Sequence, residues 1–189
     1  MPSRRGFLAA ALAVAVPASG QGREDAWQRL RAGGLVVLMR HASTEPGLGD
    51  PKGFSLEDCA TQRNLSGAGR DEARRVGERF RAERVPVAQV LTSPWCRCRE
   101  TAMLAFGTAA DWEPLASFFD FPEREAEYTV RVRKRIGSYS SRKLRGNVVM
   151  VTHNVNIAAL TRHSVGTSEM VLVRPDGCCD LRPLERLKV

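Results

Sequence analysis

The feature that most constrains the fold is a pair of short, continuous apolar segments, each of which ends at a histidine. Residues 35–39 lead into Arg40 and His41, and residues 148–152 lead into His153. Apolar runs of this length predict strands that are buried on both faces of a parallel sheet. Open α/β sheets hold their ligands at the carboxyl ends of such strands. We therefore expect the two histidines to converge on one small site.

Helix-like and strand-like patterns alternate along the rest of the chain. The 189 residues and the hydrophobic content of 43% are typical of one domain with a full core. The alternation predicts a three-layer α/β/α sandwich with a mostly parallel central sheet. Besides the two strands above, we predict helices over 23–32, 67–84 (capped by Ser66), 96–106 and 155–163, and one helix or a pair of helices over 123–144. Further strands are predicted over 87–91, 112–115, 170–173 and 179–184.

The charge balance is basic, with a formal net charge of +8 from 29 Lys and Arg against 21 Asp and Glu. The arginines are spread along the helical segments and form no run. Aromatic residues make up only 6% of the chain, which disfavours stacking platforms for bases. We therefore expect no nucleic-acid partner. A solvated basic surface or a small anionic substrate accounts for the charge instead.

The first 20 residues have the pattern of an export signal. Arg4 and Arg5 precede an uncharged stretch rich in Ala and Val, which closes on small residues. The paired arginines resemble a twin-arginine signal, and the apolar stretch is too short to span a membrane. Cleavage could follow Ala18 or Gly20. We expect an exported, periplasmic domain over 21–189 that has no stable membrane insertion.

Five cysteines accompany this expected compartment, at positions 59, 96, 98, 178 and 179. An oxidising space allows pairing, but an odd number leaves at least one thiol over. Cys96 and Cys98 lack the spacing of common zinc sites, and no histidine is close to them in sequence. We expect no metal there. Unpaired members would be small buried hydrophobic residues.

Four short motifs follow one another between about residues 35 and 173. They are LMRHAST at 38–44, NLSGAG at 64–69, TSPWCRCRETA at 92–102 and VTH at 151–153. In this order they resemble the motifs of the histidine phosphatase superfamily, the phosphoglycerate mutase-like group of Arg-His-Gly enzymes. Ala42 is a departure, because the family usually has glycine after the histidine.

The resemblance implies a role for each matching residue. His41 would attack phosphorus through a neutral ring nitrogen, and His153 would donate a hydrogen bond or positive charge to the transferring group. Arg40 and Arg97 would bind the phosphate oxygens, for which planar, permanently charged guanidinium groups are suited. Substrate contacts are also expected from Thr44, Arg63 and Asn64. The resemblance implies no metal and no other cofactor.

The proton donor for the leaving group is less well defined by sequence. Family members place an acidic residue between the third and fourth motifs. We favour Asp120, because the flanking aromatic residues Phe119 and Phe121 would desolvate it, with Glu123 as the next candidate. Glu113, Glu125 and Glu127 also lie in that interval.

Together these patterns predict an exported phosphomonoesterase that acts through a phosphohistidine on His41. A phosphorylated small molecule or an envelope sugar phosphate suits the expected compartment. The alternatives are a mutase, a phosphohistidine phosphatase, and a non-catalytic phosphate-binding module of the same fold. Substrate specificity is expected to reside in the long loop 42–64 and in the segment 108–130.

The resemblance also bears on Cys59. Because it places Arg97 and His41 in one pocket, the long loop and the start of the third motif should approach the same rim of the sheet. A bridge from Cys59 to Cys96 or to Cys98 would then hold the loop. The other interpretation is that Cys59 is simply buried.

Overall fold

The computed structural model describes residues 18–139, 144–175, 181 and 183–189. Within these ranges five α-helices alternate with six strands. The helices are α1 (Ala18–Ala32), α2 (Gly67–Ala82), α3 (Cys96–Phe106), α4 (Glu125–Ser138) and α5 (Asn154–Thr161). The strands are β1 (Val36–Arg40), β2 (Val87–Thr92), β3 (Ala110–Asp111), β4 (Asn147–Thr152), β5 (Met170–Val173) and β6 (Pro183–Leu187).

The six strands form one sheet in the order β3-β2-β4-β1-β5-β6. β2 is parallel to β3 and β4, and β4 is parallel to β1. β5 runs antiparallel to both of its neighbours, so the sheet is mixed. Every position of β4 and the first four positions of β1 are buried, as their continuous apolar sequences predict.

Helices cover both faces of the sheet. Side chains of β1 alternate between the two layers, so that Val37 and Met39 pack with residues of α1, α2 and α3. Val36 and Leu38 pack on the other side with residues of α4 and α5. The predicted three-layer α/β/α architecture is confirmed. None of the helices in the described ranges is both long and apolar enough to cross a bilayer.

Some predicted elements are wrong or fall partly outside the described residues. The strand predicted over 112–115 is a 3-10 turn, Glu113–Leu115, because Pro114 cannot donate to a strand ladder. The segment 123–144, predicted as one helix or a pair, begins with a 3-10 turn, Pro122–Arg124. One α-helix, α4, follows it and ends at Ser138. The description does not include residues 1–17, 140–143, 176–180 and 182. Three predictions therefore lie wholly or partly outside it: the signal segment, the cysteines at 178 and 179, and the strand over 179–184.

The helix predicted after Ser66 is confirmed, and its start is packed against the strand-end loop that carries His41. The Ser66 hydroxyl accepts a hydrogen bond from the Gly69 N–H at 3.1 Å, which caps α2. A Cβ atom on Gly69 would lie 1.8 Å from the Ser43 carbonyl oxygen. Only glycine therefore allows α2 to approach this loop so closely.

A disulfide ties the long loop to the start of α3. Cys59 is bonded to Cys96, with their Cα atoms 5.7 Å apart, which confirms the first of the two pairings expected for Cys59. Cys98 is a free, buried thiol. A second tie runs beside the bridge, since the Cys96 N–H donates to the Gln62 side-chain oxygen at 3.0 Å. The loop is therefore anchored one residue before Arg97.

Removing this bridge should destabilise the protein. The bonded cysteines are 37 residues apart, and closing a loop of that size is worth about 3–4 kcal/mol in the chain-entropy description. We expect Cys59→Ser/Cys96→Ser to lose about that much unfolding free energy in urea titrations. Wild-type protein treated with dithiothreitol should behave like the variant, and the variant should not respond to the reductant. Equal stability of the two proteins without reductant would contradict this.

Candidate active site

The two histidines meet because β1 and β4 are parallel neighbours in register. Arg40 is paired with Thr152, and the His41 N–H donates to the Thr152 carbonyl oxygen at 3.0 Å. The next residue on each strand is therefore a histidine at the same edge of the sheet. The rings of His41 and His153 lie 5.3 Å apart between centroids, and each residue is only 4% exposed. The predicted convergence is confirmed.

His41 is held in one tautomer. Its Nδ1 lies 2.8 Å from the Ala42 carbonyl oxygen, which can only accept, so Nδ1 carries the hydrogen. Burial is the main cause that lowers the pKa of His41 to about 3; the guanidinium groups of Arg97 and Arg40 contribute, and the Ala42 hydrogen bond opposes them. The ring is neutral near pH 7, and Nε2 has a free lone pair. These are the properties of a nucleophile.

His153 is also neutral, because burial lowers its pKa well below the ordinary value and the charge of Arg97 adds to the effect. Its Nε2 lies 2.8 Å from the Ser93 hydroxyl and 3.5 Å from the Cys98 sulfur. Burial raises the pKa of the Cys98 thiol to about 12, so this neighbour is uncharged. Of the two roles expected for His153, the hydrogen bond is favoured over the positive charge in the free protein.

Three arginines surround the histidines. Arg40 donates from Nη1 to the Val165 carbonyl oxygen at 2.8 Å. Arg63 donates from Nη1 to the Thr44 hydroxyl at 2.7 Å and from Nε to the Gly49 carbonyl oxygen at 2.8 Å. Burial lowers the pKa of Arg40 and of Arg63, and the neighbouring guanidinium groups reinforce this. Their mutual repulsion makes the site attractive to an anion.

Arg97 is paired with an acidic residue that the sequence interpretation did not include. Its Nη1 and Nη2 donate to the two carboxylate oxygens of Asp50 at 2.8 and 3.0 Å, and the two side chains are 4% and 2% exposed. Trp95 also donates from Nε1 to Asp50 at 3.0 Å. Burial alone would raise the pKa of Asp50, but the hydrogen bonds from Arg97 and Arg63 outweigh it and lower the pKa.

This ion pair changes how Arg97 can bind phosphate. Asp50 accepts hydrogen bonds from both Nη1 and Nη2 of Arg97. These two donors, through which Arg97 was expected to bind phosphate, are therefore not available to a ligand. The Nε of Arg97 is buried without a hydrogen-bond partner in the described part of the chain, as is the Nε of Arg40. An incoming oxyanion can therefore be bound by the lateral edges of both guanidinium groups.

A cleft of about 220 Å³ lies above the two histidines. Its walls are formed by the long loop and by the segment around Phe119, the two regions in which specificity was expected. The residues that line it are Arg40, His41, Leu48, Gly49, Asp50, Arg63, Arg97, Ser117, Phe119, Asp120, His153, Asn154 and Val155.

The remaining predicted site residues are distributed unevenly. Asp120 lines the cleft, but it is exposed, so the expected desolvation by its aromatic neighbours is wrong. Glu123 is exposed on the 3-10 turn and borders a separate depression with Pro122 and Glu125. The Asn64 amide donates to the Cys59 carbonyl oxygen at 2.6 Å and serves the loop itself. Thr44 supports Arg63 and is not among the lining residues.

The backbone after His41 is held by groups from two helices. Thr101 of α3 accepts from the Ala42 N–H at 3.1 Å, and Glu72 of α2 accepts from the Ser43 N–H at 3.0 Å and from its hydroxyl at 2.7 Å. Ala42 itself is fully buried, so a methyl group is accommodated where the family usually has glycine.

The comparisons with known proteins agree with this geometry. The family model described as "Histidine phosphatase superfamily (branch 1)" matches residues 36–118, which include His41 and Arg97. Over these residues, which are fewer than half of the 189, the chain is similar to the histidine phosphatase superfamily. A search of the curated protein sequences found no match.

Several solved structures share the fold of this chain. The protein histidine phosphatase SixA, complexed with tungstate, has a TM-score of 0.54 at 18% identity, and the match covers 82% of this chain and 96% of that one. The phosphoserine phosphatase of Entamoeba histolytica has a TM-score of 0.58 at 12% identity over 82% and 97% of the two chains. A phosphoglycerate mutase from Thermus thermophilus has a TM-score of 0.51 at 20% identity over 82% and 99%.

The buried histidines should make stability depend on pH. Unfolded histidines, with a pKa of about 6.5, bind protons that His41 and His153 exclude. The unfolding free energy should therefore be greatest above pH 6.5 and fall, as the pH is lowered to 5, by about 1.4 kcal/mol per unit for each histidine. Urea titrations between pH 7 and 5 measure this, and His41→Asn should remove about half of the slope. His163→Asn is the matched control at an exposed histidine. An unchanged slope in His41→Asn would argue against the effect.

Proposed function

We propose that this protein is an exported phosphatase that hydrolyses a phosphomonoester through a phosphohistidine on His41. The observation that carries the proposal is the arrangement around His41. A neutral imidazole with a free Nε2 lone pair lies beside the guanidinium groups of Arg40 and Arg97, whose buried Nε atoms have no described partner. Such unpartnered donors are costly unless an anion binds them. A phosphoryl group supplies that anion and the electrophile together.

In the first step Nε2 of His41 attacks phosphorus and the ester P–O bond breaks. Arg40 and Arg97 stabilise the charge on the equatorial oxygens, which is the main requirement of phosphoryl transfer. The Ser93 hydroxyl accepts from the Trp95 N–H at 3.3 Å, which leaves its own hydrogen to donate to Nε2 of His153. His153 then carries its hydrogen on Nδ1, and this N–H donates a hydrogen bond to a phosphoryl oxygen.

The leaving oxygen takes a proton from an acid or from water. Asp120 is the candidate acid, since it is the one of the two favoured carboxyl groups that lines the cleft. In the second step water attacks phosphorus, the P–N bond breaks, and the carboxylate of Asp120 accepts the proton that water loses. Inorganic phosphate leaves and His41 is restored.

Export is supported by the N-terminal sequence and by the disulfide. Cys59–Cys96 closes a loop of the active site, and bridges of this kind persist in oxidising compartments such as the periplasm. Phosphohistidine phosphatase and mutase activities are the competing proposals, because structures with those names share the fold. A non-catalytic phosphate-binding module is the third.

The test is a combined turnover and trapping experiment on purified mature protein. We expect release of inorganic phosphate from p-nitrophenyl phosphate and, after an acid-free quench, an acid-labile phosphate that peptide mapping assigns to His41. Transfer of the phosphoryl group to added phosphoglycerate instead of water would favour a mutase. Phosphate binding without turnover or labelling would favour the binding module and reject the proposal.

A further inference from the structure

The mouth of the catalytic cleft contains two exposed apolar side chains that the proposed mechanism does not use. Leu48 is 87% exposed and Phe119 is 50% exposed, and both line the cleft together with His41. We propose that they bind an aromatic leaving group, so that the substrate is a small phosphate monoester of an aromatic hydroxyl. This inference rests on the proposed phosphatase activity and names its substrate class.

Leu48 is presented at the tip of the long loop by a specific local structure. It lies between Gly47 and Gly49, which have φ angles of +137° and +68° that favour glycine. Arg63 donates to the carbonyl oxygens of both glycines, at 3.0 and 2.8 Å. The backbone of an exposed leucine is thus held by an arginine of the catalytic cleft. A side chain so exposed contributes little to folding, and its place at the mouth of the cleft leaves it available to contact a ligand.

Phe119 and Asp120 lie across the cleft from this tip. A Cβ atom on Gly49 would lie 3.7 Å from Cε1 of Phe119 and 3.7 Å from Oδ1 of Asp120. The loop tip and the Phe119 segment therefore approach each other at the entrance. A planar ring that enters between Leu48 and Phe119 buries apolar area on both faces. Its ester oxygen would then be directed towards His41 and Asp120.

The charges of the cleft disfavour a leaving group with its own anion. Its cationic lining residues are Arg40, Arg63 and Arg97, and each already has contacts with protein oxygen atoms. Their remaining donors are needed for the phosphoryl group. Asp120 adds a carboxylate at the entrance, which would repel a carboxylate or second phosphate of the substrate. An uncharged ring meets no such penalty.

The size of the cleft points to a single ring. Pockets for drug-sized ligands have volumes of about 300–1,000 Å³, whereas this cleft measures about 220 Å³. A sugar phosphate, which the sequence alone suggested, would bring hydroxyl groups against Leu48 and Phe119 and leave them without partners there. The apolar entrance therefore favours an aryl ester over a sugar ester.

Binding of non-hydrolysable phosphonates tests this inference independently of turnover. We expect phenylphosphonate to bind the wild-type protein about tenfold more tightly than methylphosphonate in calorimetric titrations. Cyclohexylphosphonate should bind more weakly than phenylphosphonate. Phe119→Ala and Leu48→Ala should each reduce the phenyl-to-methyl ratio, the former to near one, without changing the affinity for methylphosphonate. Val130→Ala, at another exposed apolar residue away from the cleft, is the matched control and should keep the ratio.

The outcomes separate this inference from the function on which it rests. Equal affinities for the phenyl and methyl compounds in the wild type, or a ratio that survives Phe119→Ala, would overturn the aromatic subsite and leave the phosphatase proposal intact. Cyclohexylphosphonate binding as tightly as the phenyl compound would overturn the assignment to an aromatic ring. Failure of every phosphonate to bind, with no phosphohistidine formed, would reject the proposed function and the inference with it.

Discussion

Replacing His41 by alanine should abolish phosphatase turnover and lower kcat by at least about 10⁴-fold. Among the described residues, no other group next to the cleft arginines offers a neutral ring nitrogen with a free lone pair. His153 cannot substitute, since its Nε2 is engaged by Ser93. Steady-state assays with p-nitrophenyl phosphate measure the loss. The acid-labile phosphate on the protein should disappear with it.

Anion binding should survive the same substitution. Arg40, Arg63 and Arg97 remain in His41→Ala, and the ring that is removed is uncharged. Inorganic phosphate should therefore bind with an affinity within a few-fold of that of the wild type. His163→Ala is the control, because that histidine is exposed. Turnover retained in His41→Ala, together with phosphate labelling at another residue, would refute the assignment of the nucleophile.

Replacing Arg97 by alanine should reduce both stability and rate. The substitution leaves the Asp50 carboxylate buried with no cation paired to it, a change that costs about 3–5 kcal/mol of unfolding free energy. It also removes a donor to the equatorial phosphoryl oxygens, so kcat should fall by about 10²–10³-fold, more than KM rises. Urea titration and steady-state kinetics measure the two effects.

The double variant Asp50→Asn/Arg97→Ala separates these two roles of Arg97. Removing the carboxylate charge should restore most of the lost stability, because the buried negative charge is gone. It should not restore the rate, because the phosphoryl group still lacks its cation. Recovery of kcat along with stability would mean that Arg97 acts only through Asp50 and does not contact the substrate.

The elements that sequence predicted well are those encoded by neighbouring residues. β1 and β4 are continuous apolar runs, and such runs must be buried on both faces wherever they lie in the sheet. α2 combines an apolar stripe with Ser66 as its cap. The meeting of His41 and His153 followed from these strands, since parallel neighbours end at one edge. The Cys59–Cys96 pairing depended on the family resemblance in addition.

Other features of the structure were not predicted correctly. For two of them the sequence contained a signal that was not used, and for Asp120 the sequence signal was misleading. Ser93 directly follows β2 within a motif already identified, and its position beside the sheet edge indicated a partner for a strand-end histidine. Pro114 marked a break in the strand predicted over 112–115. The aromatic neighbours of Asp120 suggested desolvation, but Phe119 and Phe121 are 50% and 40% exposed and do not cover it.

By itself, the sequence determined the layered α/β architecture, the pair of histidines at the sheet edge and the basic character of their surroundings. Only the tertiary structure decided that Asp50 occupies the fork of Arg97, that Asn64 serves the loop, and that Leu48 lies at the entrance to the cleft. Periodicity and capping act over a few residues and can be recognised locally. The Asp50–Arg97 pair joins positions 47 residues apart, and its partners are chosen by the path of an irregular loop, for which no local pattern exists.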